Sequence, residues 1–122
     1  MPEPQEYRQP RFQRPPAATE LILVRHGESE ANVEPRIHVT TADHAIPLSA
    51  RGHEQAREAG RRLDQLFATR YGDVTRRPNI RMWVSPYERT RETARGITET
   101  AGRWITDTQE HVLLCEQQFG LF

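Results

Sequence analysis

An arginine, a histidine, a glycine and a glutamate stand together at Arg25-His26-Gly27-Glu28, directly after four aliphatic residues, Leu21-Ile22-Leu23-Val24. The aliphatic run has the length and composition of a buried strand. The cluster then falls at that strand's carboxyl end, where parallel α/β sheets bind their ligands. A permanent guanidinium charge beside an imidazole suits attack on an anionic, phosphate-like group. An imidazole nitrogen that attacks such a group can split one difficult displacement into two easier ones. A histidine at a strand end can also be an ordinary hydrogen-bonded structural residue, and His26 by itself does not separate the two readings.

Such a cluster needs elements to hold it. Residues 27–48 read as a long loop, interrupted by Pro35 and Pro47 and offering turn chemistry at Thr40, Thr41 and Asp43. Ser49 is a plausible helix N-cap. Beyond it Ala56, Ala59, Leu63, Leu66 and Phe67 recur at helical spacing, with Gly72 as the C-cap. Residues 79–84 predict a second strand. Ser85-Pro86 then opens a second helix, with the proline at its first position, running to about Gly102. Trp104-Ile105-Thr106 begins a third strand, and Val112-Leu113-Leu114 a short extended or helical turn. Strands alternating with helices predict an α/β fold with a parallel sheet and right-handed crossovers.

Four segments, in order, carry a family resemblance. They are the apolar run into Arg25-His26-Gly27-Glu28, the helix start Pro47-Leu48-Ser49-Ala50-Arg51-Gly52-His53-Glu54-Gln55-Ala56, the segment Ser85-Pro86-Tyr87-Glu88-Arg89-Thr90-Arg91-Glu92-Thr93-Ala94, and Leu114-Cys115-Glu116-Gln117-Gln118-Phe119-Gly120. Together, over residues 20–122, they resemble the histidine phosphatase superfamily, also called phosphoglycerate mutase-like. The resemblance implies a three-layer phosphoglycerate mutase-like α/β fold with a mostly parallel sheet, of which this chain would hold the N-terminal portion. It implies His26 as nucleophile and Arg25 and Arg89 as a phosphate clamp. Two guanidinium forks can stabilise a transferring phosphoryl group without a metal. It implies Glu116 as proton donor to the leaving oxygen, where burial near Leu114 and Phe119 would raise its pKa. Asn32 is a candidate donor to a phosphate oxygen. Ser29 would cap the loop or bind phosphate, and Glu28 would orient His26 or a loop amide. Arg91 and Arg95 read as solvated. No cofactor is implied and no metal expected, because His38 and His44 lack a supporting Cys or carboxylate cluster.

Two departures from the family pattern shape the functional expectation. Members carry a second catalytic histidine in a Ser-His-Gly-like segment late in the domain, and nothing after residue 116 supplies one, so the chain is expected to be incomplete. Phosphoglycerate mutases have an arginine and a tyrosine after the acid glutamate, where this chain has Gln117, Gln118 and Phe119. That points to a phosphatase. The alternatives are an inactive phosphate-binding or regulatory module and a mutase-type phosphotransferase.

Composition narrows the setting. Residues 1–18 carry five prolines and no Leu, Ile or Val, and are expected to form a disordered Pro/Arg-rich arm. Residues 19–122 would form the domain portion. All seventeen basic residues are arginine and the formal net charge is zero, so a nucleic-acid partner is not expected. No apolar run is long enough to span a bilayer, and a membrane is not an expected partner. The single cysteine, Cys115, excludes a disulfide framework within the chain and reads as a buried structural residue. The expected setting is the cytoplasm, and the expected partner a small-molecule phosphorylated substrate.

Overall fold

The computed structural model describes residues 19–72 and 78–115; the N-terminal arm expected over 1–18 and the Glu116 loop fall outside them. After His26 the chain makes a single helical turn, α1 (Glu30–Val33), and two 3-10 turns at Pro35–Val39 and Asp43–Ala45. The long helix α2 (Ala50–Tyr71) follows. Ser49 starts it as its sequence position predicts: the side chain accepts from the Gly52 amide, satisfying a donor that a helix start leaves open. Gly72 is the C-cap, although it stays in the right-handed region at φ −45°.

Strand β1 (Ile80–Val84), helix α3 (Glu88–Ala101) and strand β2 (Ile105–Glu110) form a β-α-β unit. The strands pair in parallel, Ile80 opposite Ile105 through Val84 opposite Glu110, with a register irregularity after Ile80. Parallel neighbours require a crossover, and α3 supplies it. α3 begins two residues later than Pro86, the predicted start. Pro86 and Tyr87 instead form the bend before it, where the Tyr87 amide donates to Ser85 Oγ at 3.2 Å. Mixed helix and strand with a parallel pair make this the α/β fold expected, in partial form.

The first predicted strand is not one. Leu21–Val24 pairs with no strand among the described residues and is exposed. Glu20 pairs with Arg70 near the end of α2, while Gly27 lies against Gly52 near its start. About 27 Å of helix separates Gly52 from Arg70, and seven extended residues reach about 23 Å. The segment is thus drawn out along α2. Its exposure alternates: Leu21 and Leu23 are 79% and 85% exposed, Ile22 and Val24 only 41% and 46%. The period of two that strand residues carry persists, but a strand exists only through a neighbour's hydrogen bonds.

The core lies where α2 crosses α3. A Cβ on Gly96 would come within 2.5 Å of the Ala56 Cβ, and one on Gly60 within 2.7 Å of the Ile97 carbonyl oxygen. Thr100 Oγ1 donates to the Arg57 carbonyl across the crossing at 3.0 Å. At its far end Trp104 is buried against Phe67 and Tyr71, and its indole N–H donates to Asp64 Oδ1 at 2.8 Å. Arg103 Nε donates to the same oxygen at 2.7 Å. Hydrogen bonds from Arg103, then from Trp104, hold the Asp64 carboxyl below its ordinary value of 3.8.

Two outcomes follow from this packing. Gly→Ala inside a helix normally stabilises by about 1 kcal/mol, whereas forcing a methyl into a filled crossing costs about 1–3 kcal/mol. Gly96→Ala should therefore lower the denaturation midpoint; a higher midpoint would mean that the helices are not in close contact. Asp64 ionises more readily folded than unfolded, so its contribution is present above the ordinary carboxyl pKa and lost as pH falls through the lowered one. Asp64→Asn should reduce stability near neutral pH, and the loss should shrink as the pH falls below the ordinary carboxyl value, read from Trp fluorescence in denaturant titrations.

Candidate active site

One face of α3 organises the cluster. Arg89, Glu92 and Thr93 are spaced i, i+3, i+4 and so share that face. Each reaches a different point of the stretch from Gly27 to Leu48. Thr93 Oγ1 accepts from the Gly27 amide at 3.1 Å and donates to the Arg89 carbonyl at 2.8 Å. Glu92 Oε1 accepts from the Leu48 amide at 2.7 Å, with His53 Nε2 3.7 Å away. Arg89 Nη1 donates to the Asp43 carbonyl oxygen at 2.7 Å, and the Asp43 carboxylate lies against both Nη atoms at 3.3 and 3.4 Å. The loop closes on itself as well. Ser29 and Leu48 form an antiparallel bridge, Glu30 N–H donates to the Pro47 carbonyl and Ser49 N–H to the Glu28 carbonyl.

His26 is half-buried, and its Nδ1 lies 2.7 Å from the Gly27 carbonyl oxygen. A carbonyl can only accept, so Nδ1 carries the proton there and the neutral ring keeps its lone pair on Nε2. Gly27 packs so closely on α2 that a Cβ would sit 2.6 Å from the Gly52 carbonyl oxygen. That fixes the backbone on which the imidazole stands.

The remaining predicted residues divide. Arg25, next to His26, is exposed. Arg89 is 6% exposed, its guanidinium 4.9 Å from the Tyr87 ring centre. Ser29 and Asn32 form a reciprocal capping box around α1: Asn32 Oδ1 accepts from the Ser29 amide at 2.9 Å, and Ser29 Oγ from the Asn32 amide at 3.3 Å. Glu28 accepts from the Ser49 hydroxyl at 2.8 Å, and its amide donates to Gln55 Oε1, so it braces the start of α2. Glu116 lies outside the described residues. Arg91 and Arg95 are exposed, Arg91 held by two hydrogen bonds to Glu110.

Sequence reading missed Asp43, Gln55 and the separate tasks of Glu92 and Thr93. Helical spacing from Arg89 could have found the last two. Nothing in the local pattern pairs Asp43 with an arginine 46 positions away.

Thr93→Val keeps the side-chain shape and removes the acceptor of the Gly27 amide. It should destabilise by about 1–3 kcal/mol in chemical denaturation and speed hydrogen exchange at Gly27. An unchanged exchange rate there would show that this bond does not hold the histidine loop.

The model of the histidine phosphatase superfamily (branch 1) matches residues 21–122. The phosphoglycerate mutase-like protein AT74H of Arabidopsis thaliana is 40% identical over 104 residues, covering 84% of this chain and 37% of that protein. The broad-range acid phosphatase DET1 of Saccharomyces cerevisiae is 30% identical over 124 residues, covering 79% of this chain and 37% of that protein. A 2,3-bisphosphoglycerate-dependent phosphoglycerate mutase of Chelativorans sp. (strain BNC1) is 36% identical over 100 residues, covering 82% and 43%. The chain thus spans roughly two-fifths of the length of these relatives.

Proposed function

This chain belongs to the histidine phosphatase superfamily (branch 1), and we propose from that premise that it hydrolyses a phosphomonoester through a phosphohistidine on His26. The observation that carries the proposal is the hydrogen bond from His26 Nδ1 to the Gly27 carbonyl, which leaves the Nε2 lone pair as the nucleophile. Nε2 attacks phosphorus, the ester P–O bond breaks, and the leaving oxygen takes a proton, a role assigned to Glu116. Water then attacks the phosphohistidine, giving one proton back to Glu116, the P–N bond breaks, and inorganic phosphate leaves with the neutral imidazole restored.

Charge on the phosphoryl group spreads over its equatorial oxygens, and catalysis is mainly positioning and electrostatic stabilisation. Arg25 beside the nucleophile and Arg89 on the helix that anchors its loop are assigned to those oxygens. Asn32 spends its carbonyl oxygen on the Ser29 amide, so its amide nitrogen is the atom assigned to a phosphate oxygen. Ser29 and Glu28 contribute by shaping the loop and bracing α2. No step is routed through a metal.

Phosphatase is preferred to mutase because Gln117-Gln118-Phe119 follows the acid glutamate, without the arginine and tyrosine that the resemblance associates with mutases. The substrate is proposed to be a small-molecule phosphoester in the cytoplasm. Among the described residues no helix is long and apolar enough to cross a membrane.

The test is hydrolysis of p-nitrophenyl phosphate by the full chain and by His26→Ala. A fall of roughly 1,000-fold or more in kcat/KM is expected on loss of a nucleophile. Alkaline quenching during turnover should trap a base-stable, acid-labile phosphoryl group on His26 of the parent chain alone. Equal rates for the two proteins would end the phosphatase assignment.

A further inference from the structure

The Asp43–Arg89 contact has an unusual distribution of strength and exposure. The Arg89 side chain is 7% exposed and that of Asp43 is 40%. The short hydrogen bond, 2.7 Å, goes to the backbone carbonyl of Asp43. The carboxylate contacts are long, 3.3 Å from Oδ1 to Nη1 and 3.4 Å from Oδ2 to Nη2. One oxygen thus faces each nitrogen of the fork, the parallel arrangement in which guanidinium groups bind carboxylates and phosphates alike. The backbone bond keeps the 3-10 turn Asp43–Ala45 against α3 whether or not the carboxylate stays. On its other side the guanidinium lies over Tyr87, whose ring meets His44 edge-on at 6.4 Å between centres.

We infer that the Asp43 carboxylate is a displaceable counter-ion occupying the anion position of the Arg89 fork, and that an incoming phosphoryl group replaces it. The inference rests on the phosphatase reading for the identity of the incoming anion. A buried guanidinium without an anion is unfavourable, and Asp43 supplies one while no substrate is bound. Its long contacts and open side make it the weaker competitor. Exchanging one monoanion for another changes little electrostatically, whereas exchange for a dianion gains attraction to the same cation. Asp43 therefore biases the site toward dianionic phosphomonoesters and against monoanions such as phosphodiesters. It is a specificity-determining residue that touches the clamp and takes no part in bond making.

The test is the affinity of the full chain for inorganic phosphate, measured by isothermal calorimetry near pH 8, with Asp43→Asn and Asp43→Ser compared with the parent. Both neutral variants should bind phosphate about threefold to tenfold more tightly, and in an Arg89→Ala background the substitutions should have no effect. Asp43→Glu, which keeps the charge, should stay close to the parent. Equal or weaker phosphate binding by the neutral variants would overturn the inference, as would tightening that survives Arg89→Ala. Should neither neutral variant fold, the parent chain labelled with ¹³C at aspartate carboxyls decides: the Asp43 resonance should move on phosphate saturation, and a stationary resonance refutes displacement. These readouts do not need turnover. Tighter phosphate binding without p-nitrophenyl phosphate hydrolysis would sink the phosphatase reading and leave Asp43 as assigned; hydrolysis with unaltered phosphate affinity in the variants would do the reverse.

Discussion

The grip of α3 on the loop that follows His26 is the interaction on which the rest depends. Three side chains on one helical face, Arg89, Glu92 and Thr93, bind Asp43, the Leu48 amide and the Gly27 amide. The loop has little regular structure of its own: one helical turn and two 3-10 turns. Its backbone groups need partners, and buried polar groups left without them are unfavourable by about 1–3 kcal/mol each. The helix supplies those partners at fixed spacing, so the histidine's position along the loop is referred to a rigid element. The same stripe continues toward the C-terminus as Gly96, Ile97 and Ala101, all buried. α3 is therefore polar where it holds the site and apolar or small where it meets α2, with one face doing both.

That division works only if α2 comes close at both ends. Near its start, Gly52 leaves room for the backbone of Glu28, and Gly27 leaves room for Gly52. In its middle, Gly60 and Ala56 admit Gly96 and Thr100. Small residues at Gly27, Gly52, Ala56, Gly60 and Gly96 bring three backbones together, so the hydrogen bonds of the loop can reach their acceptors. Ile46 is fully buried next to the pinned Leu48, which gives the loop an apolar anchor as well as polar ones. Displacing α2 by the width of a methyl group would shift the backbone at Gly27 on which the imidazole stands.

Much of this was legible in the sequence where local chemistry decides. Ser49 capped α2 as predicted, Gly72 followed its last residue, and β1-α3-β2 fell within two residues of the expected boundaries. Motif order identified the family because the histidine cluster after the apolar run and the helix-borne arginine keep their relation along the chain. Prediction failed where a partner distant in sequence decides. Leu21–Val24 has every strand propensity and lies unpaired along α2, since propensity cannot provide a neighbouring strand. Ser29 caps the turn after His26, one of the two roles its position suggested, with Asn32 as its partner, while the contacts of Glu28 with Ser49 and Gln55 could not be read from the local pattern. Polar side chains beside His26 draw a catalytic reading from sequence, and the backbone around them also takes up their hydrogen bonds.

The arginines make the same point about context. On α2 they pair with glutamates three, four or seven positions away: Arg57 and Arg61 with Glu54, Arg61 and Arg62 with Glu58. Arg103 pairs with Asp64 and Arg91 with Glu110. Apart from the half-buried Asp64 these groups lie in water, where screening leaves such pairs weak. Arg89 has the same side chain in a different medium. Burial removes the solvent that screens its charge, so any anion within reach of its fork interacts far more strongly than at the surface. An arginine-rich sequence with no net charge can therefore set one guanidinium apart: desolvation strengthens its pull on an anion, and the ion-paired arginines at the surface serve the scaffold.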